Sequence, residues 1–200
     1  MASEVGIVNS AGTKIGAKNL ISSFDEGTPL ANLADNRYAE IRDELLRSHP
    51  WNFAVKRAKL ARLAETPTFE FDYAYSMPTG WIRTIWIANN DQGDGYIEYR
   101  EEDNKILSDE EEIYMKYITQ VTDPNIMTPD FRELIAMKLA IEGAISIVNS
   151  NTLSELWQVR YDRAWRKATS IDSLSDRPDR RPHGSWVVYR FRSSGINTDQ

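Results

Sequence analysis

The spacing of apolar positions changes period along this chain, and the changes divide it. Residues 3–10 are short, amphipathic and interrupted by Gly6, which predicts a weak helix; 12–27, rich in Gly and Ser, read as a loop. Thr28-Pro29 then places a hydroxyl cap before a proline at the first helical position, where its missing N–H costs nothing. Leu30, Leu33, Ala34, Tyr38, Ile41 and Leu45 follow, mostly three or four apart, and predict a helix. His49-Pro50 ends it, because a residue before proline avoids helical angles.

From Trp51 to Val121 the period falls to two. Phe53 and Val55 alternate with polar neighbours, and Phe69, Phe71, Tyr73 and Tyr75 share one parity. The runs 81–87, 96–99 and 113–118 are aromatic and β-branched, and 89–95 has turn chemistry. Arg57–Leu63 is ambiguous, since its composition suits a helix equally well. The region predicts one antiparallel sheet of about four to six strands.

Helical spacing then returns. Thr128-Pro129 repeats the earlier start signal, and Phe131, Leu134, Met137, Ile141, Ile145 and Val148 form a stripe with few charges, which predicts a helix buried on more than one side. Asn149-Ser150-Asn151 breaks it. Thr152 and Glu155 have the spacing of a capping box for a last helix carrying Leu156, Trp157, Tyr161, Trp165, Ala168 and Ile171. The short break predicts an antiparallel helix pair. The fold class expected is therefore α+β: an antiparallel helical bundle (1–50 and 122–174), an inserted small antiparallel β-region (51–121) and an extended C-terminal arm (175–200).

At 200 residues the chain is long enough to bury about 70 % of its unfolded surface. It has no Cys, which excludes disulfides, thiolate catalysis and Cys-ligated metal sites, and His49 and His183 are its two histidines. No apolar run reaches transmembrane length, and the opening MASEVGIVNS lacks a signal-peptide pattern, so folding in a cytosol is expected. The net charge is −6. Nine acids and two bases between Asp94 and Glu112 place −7 in that segment alone, whereas 176–192 hold five Arg against Asp176 and Asp179. A duplex-DNA reader needs a dominant basic face, and this composition offers none. The acidic run reads either as a solvated hairpin or as a functional negative surface.

Candidate chemistry is sparse. His49 reads as a cation at a helix C-terminus, and His183 lies in a Pro/Gly/Arg stretch without a triad. Gly12–Lys18 lacks the spacing of a phosphate loop, and Asp91–Gly95 lacks the ligand register of a calcium loop. No catalytic residue, metal ligand or cofactor site is assigned, and the chain is not expected to be an enzyme. Near the end, Trp186-Val187-Val188-Tyr189-Arg190-Phe191 is strongly β-prone. It either joins this chain's own sheet or forms an arm that docks on another protein.

One string carries a family resemblance: Tyr38, Arg42, Asp43, Leu45, Leu46 and Arg47, then His49-Pro50-Trp51-Asn52-Phe53-Ala54, then Arg57, Ala58, Leu60 and Ala61. With Ile7-Val8-Asn9-Ser10-Ala11, Ile15-Gly16, Met77-Pro78, Gly80-Trp81-Ile82-Arg83, Tyr117-Ile118, Val121-Thr122-Asp123, Pro129, Phe131 and Lys138-Leu139-Ala140, it resembles the tail tubular protein A family over about residues 5–170. These are head-to-tail adaptors (connectors) of short-tailed bacteriophages. The resemblance implies a virion structural protein of the neck and tail, assembled in the host cytoplasm. It implies a dodecameric ring that binds the portal protein and the tail nozzle protein and offers sites for tail fibres or spikes. It also implies passage of double-stranded DNA without specific binding, no membrane contact and no cofactor.

Two surfaces follow as expectations. Arg180, Arg181, Trp186, Val187, Tyr189 and Phe191 would contact the portal through the arm. Glu98, Glu101, Glu102, Asp103, Glu110, Glu111 and Glu112 would face the lumen or the nozzle joint, where few cations means little adhesion to DNA. His49, Pro50, Trp51 and Phe53 are the structural residues of the family string. The alternatives are another neck or head-completion protein, of a long-tailed phage, and a carboxylate-dependent hydrolase.

Overall fold

The computed structural model describes residues 1–93 and 97–175. The expected arm, with Arg180, Arg181, His183, Trp186, Val187, Tyr189 and Phe191, lies outside the described residues, as does Tyr96. The chain is α+β: helices α1 (Glu4–Ile15), α2 (Pro29–Ser48), α3 (Pro129–Ser146) and α4 (Asn151–Leu174) accompany two three-stranded antiparallel sheets.

Local signals set most helix ends. Thr28 Oγ1 accepts the Ala31 N–H at 3.2 Å, and Thr128 Oγ1 accepts that of Phe131 at 3.4 Å, each with proline following the cap. α2 stops at Ser48 with His49 extended, as the His-Pro pair requires. The expected loop from residue 12 begins later. α1 runs to Ile15 and ends on Gly16 at φ 74, with Ala17 N–H bonded to the Gly12 carbonyl and Gly16 N–H to that of Thr13. Those paired bonds are a glycine C-cap, so the Gly12–Lys18 stretch ends a helix. α4 also starts earlier than its Thr152/Glu155 signal. Asn149 turns left-handed at φ 56, and Ser150 Oγ caps Leu153 N–H at 3.3 Å.

α3 packs against α1, α2 and α4. Its buried set is Phe131, Leu134, Ile135, Ala136, Leu139, Ala140, Gly143 and Ala144. Small residues line its second half because neighbours approach closely there: a Cβ on Gly143 would lie 3.0 Å from Ile15 Cδ1 and 3.2 Å from Leu33 Cδ2. The buried stripe is therefore rotated from the expected one, and Ile145 and Val148 are exposed. On α4, Trp157 and Ala168 are buried, but Leu156 and Ile171 are exposed.

The β-region differs from the single sheet expected. β1 (Val55–Lys59), β6 (Tyr114–Thr119) and β3 (Trp81–Ala88) form one sheet in the order β1-β6-β3. β2 (Tyr73–Ser76), β5 (Lys105–Ser108) and β4 (Arg100–Glu102) form the other, in the order β2-β5-β4. The ambiguous Arg57–Leu63 stretch contributes to β1 and then bridges Arg62 to Tyr75. Phe69 and Phe71 precede their expected strand, because Glu70 adopts φ 75 and breaks the extended run. Ile97–Tyr99 is irregular rather than a strand; Ile97 is buried, and the Glu98 carbonyl accepts Ser108 Oγ at 2.8 Å.

Two cores result. The larger joins all four helices with Trp51, Ala54, Ile118 and Val121. The smaller takes Leu60, Tyr75, Ile87, Ile97, Ile106, Ile113, Met115 and Tyr117 from both sheets.

Candidate functional site

The family-like string forms a joint. Trp51 is 1 % exposed, and its indole Nε1 donates to the Leu45 carbonyl at 2.8 Å. Its ring stands edge-on to His49, Phe131 and Trp165, with centroids at 4.8, 5.1 and 5.7 Å, and Phe53 meets Phe131 at 5.0 Å. The joint thus packs the end of α2 against α3 and α4. Its polar half is Asp172 of α4: its carboxylate lies 3.1 Å from His49 Nε2 and accepts the Asn52 N–H at 3.2 Å, and its backbone carbonyl accepts Asn52 Nδ2 at 2.6 Å. His49 is therefore the partner of a specific carboxylate, beyond its place at the end of α2. Arg42, buried, donates through Nε to Asp43 at 2.8 Å, and Asp43 accepts Gln120 Nε2 at 2.7 Å, which links α2 to the chain after β6.

The expected acidic residues lie in and around strands β4 and β5. β4 and β5 form a hairpin whose two-residue turn, Asp103-Asn104, has φ 47 and 57, the left-handed pair that matches strand twist. Glu98, Glu101, Glu102, Asp103, Glu111 and Glu112 are exposed, and Glu110 is half-buried. Glu112 pairs with Lys59 of β1 at 2.6 Å, and that hydrogen bond holds its carboxyl below the ordinary range. The Glu110 backbone carbonyl accepts the Tyr75 hydroxyl. Glu102 and Asp103 instead meet residues that sequence reasoning did not single out. With Glu65, Glu70 and Phe69 they line a cavity of about 250 Å³ that also includes Lys105. Lys105 Nζ lies 3.3 Å from Glu65 and 3.4 Å from Asp103, and the Glu65 hydrogen bond foremost raises its pKa. Phe69 is 79 % exposed beside this cavity. Sequence alone held a partial signal in the dense acids of 98–112; the approach of 65–70 to the hairpin is set by long-range pairing.

Among the described residues no group of three or more His, Asp or Glu side chains could hold a metal ion, and no helix is long and apolar enough to cross a membrane. No protein-family model matches the chain, and no curated protein matches it either.

Proposed function

We propose that the protein is a head-to-tail adaptor of a short-tailed bacteriophage. In this reading it forms a ring that joins portal to tail nozzle, extends the DNA channel and offers sites for fibres or spikes. The four helices are then the family's bundle, 51–121 its β-insertion, and the C-terminal residues a portal-binding arm. The role is assembly rather than catalysis. The observation that carries the reading is the joint at His49–Ala54. Of the residues that resemble the family, Trp51 and Ala54 are buried and His49 and Phe53 half-buried where α2, α3 and α4 meet, and the string delivers the chain into β1, so they are residues a shared fold would require.

Copies in a closed ring meet through unlike surfaces related by a fixed rotation. The net charge of −6 adds a repulsion that any pair of copies must overcome, so the free chain at dilute concentration is expected to be monomeric until a portal templates it. The test is negative-stain imaging of the purified chain mixed with portal. A twelvefold ring stacked beneath the portal supports the proposal; failure to bind portal under conditions where both are folded refutes it. Deleting residues 176–200 should leave a folded chain that no longer binds portal. Charge reversal of Glu101, Glu102, Glu110 and Glu111 to Lys should slow DNA ejection or spoil nozzle docking, and normal infectivity would remove these acids from the channel and joint.

A further inference from the structure

Helical geometry puts Leu156, Arg160, Arg163, Lys167, Ile171 and Leu174 on one line along α4, at steps of four, three, four, four and three residues. All six are exposed, and Leu174 is 85 % so. The line is roughly 27 Å long at the standard rise per residue. Arg160 stacks on Trp157 at 4.7 Å, and neither Arg163 nor Lys167 is ion-paired among the described residues. The acids of α4 are elsewhere: Glu155 and Asp162 lie roughly 100–120° around the axis, and Asp172 is engaged by His49 and Asn52. α4 turns Trp157, Tyr161, Trp165 and Ala168 towards the core, so this flank is an outer face with three cations between apolar ends.

The same chain carries the complement. Around the cavity beside the β4–β5 turn stand four carboxylates, Glu65, Glu70, Glu102 and Asp103, against the single ammonium of Lys105. The excess is three negative charges, and an aromatic ring, Phe69, stands exposed among them. We infer that this acidic knob of one copy docks on the α4 flank of the next. Its carboxylates meet Arg160, Arg163 and Lys167, and Phe69 rests against the leucine and isoleucine positions. Residues 176–192 carry five Arg against two Asp, so they do not supply the net negative charge that this flank calls for. Knob and flank are different surfaces, so every copy gives one and receives one, and the contact propagates head to tail. Exposed charges set its orientation and rate of encounter, and salt weakens it.

The inference rests on the ring reading only in taking a second copy as partner. The absence of cysteine makes the test direct. Thr68→Cys, beside Phe69, and Ser170→Cys, on α4, are made in separate full-length chains, one of them isotope-labelled, and mixed at high protein concentration with a bismaleimide. Only contacts between copies then give the mixed-label dimer. Its yield should exceed that of a Lys18→Cys control and fall by about tenfold between 0.05 and 0.5 M NaCl, as screening shortens from beyond 10 Å to a few Å. Adding R163E/K167E to the α4 chain should abolish the product, and adding E70K/E102K to the knob chain should restore it. All these sites are exposed, and circular dichroism verifies folding. A yield no higher than the control, one indifferent to salt, or no rescue by the swapped charges overturns the contact. Twelvefold rings that still form under portal without this cross-link would discard this interface and keep the adaptor reading.

Discussion

Trp51→Ala tests the joint at its centre. The indole is almost wholly buried and stands against four aromatic rings, three of them edge-on. Deleting such a side chain removes about 150–250 Å² of buried apolar surface, worth roughly 4–6 kcal/mol by area at 25 cal/mol/Å², and measured Trp-to-Ala losses of about 3–5 kcal/mol agree. The hydrogen bond contributes little of this, because the Leu45 carbonyl that the indole serves also accepts Ser48 Oγ at 2.7 Å and keeps a donor. Trp51→Phe, which retains most of the packing, should therefore cost only about 1–2 kcal/mol. Urea unfolding followed by far-ultraviolet circular dichroism separates the two. With an m-value of about 2 kcal/mol/M, Trp51→Ala should lower the midpoint by about 1.5–2.5 M. A loss below about 1 kcal/mol at unchanged m, on the scale of an ordinary surface change, would refute the claim that this ring locks the helices. Equal losses for Phe and Ala would shift the explanation from packing to the hydrogen bond.

Asp172→Ala leaves Asn52 N–H and His49 Nε2 without their shared acceptor and should cost about 1.5–3 kcal/mol, read as a drop of several degrees in thermal midpoint; an unchanged midpoint would show the polar half of the joint to be passive. Tyr38 is buried with its hydroxyl unpartnered, so Tyr38→Phe should stabilise the chain by about 1 kcal/mol; a clear loss in urea would reveal a partner for that oxygen. Burial foremost pushes the Tyr161 phenol up to about 12. The unfolded chain then ionises first, so this contribution is intact below pH about 10 and lost as pH rises to about 12; Tyr161→Phe should flatten the alkaline decline, and identical pH curves would count against it. A Cβ on Gly93, which has φ +74, would sit 2.7 Å from the Trp86 ring, so Gly93→Ala should destabilise by about 1–3 kcal/mol; a neutral result would mean the loop yields freely.

What could be read before folding was local. The two Thr-Pro starts, the His-Pro stop and the strand character of 81–87 and 113–118 are matched by α2, α3, β3 and β6 because backbone geometry and nearest neighbours decide them. Ser150 rather than Thr152 caps α4 because the preceding turn, with Asn149 left-handed, also sets the cap's position. The division into two sheets was not legible, since it depends on β6 pairing with β1 some 60 residues earlier. The same limit hid the knob: Glu65 and Glu70 acquire significance only when the 65–70 loop is brought to the Asp103-Asn104 turn. The α4 flank was not singled out either, since Leu156 and Ile171 share one apolar series with Trp157, Tyr161 and Trp165. Only packing shows that Trp157, Tyr161 and Trp165 occupy the face towards α3.

Strand β6 belongs to both interiors at once: Ile118 is buried among the helices, while Met115 and Tyr117 are buried between the sheets. Neighbouring links of one extended chain thus act as rivets through opposite faces of the same plate, and β1 and β3 clamp that plate on either side. Bending one half away from the other would require sliding this strand and exposing grease on two fronts together. Separating the helices from the sheets must therefore open both cores at once, and the two halves should melt as one.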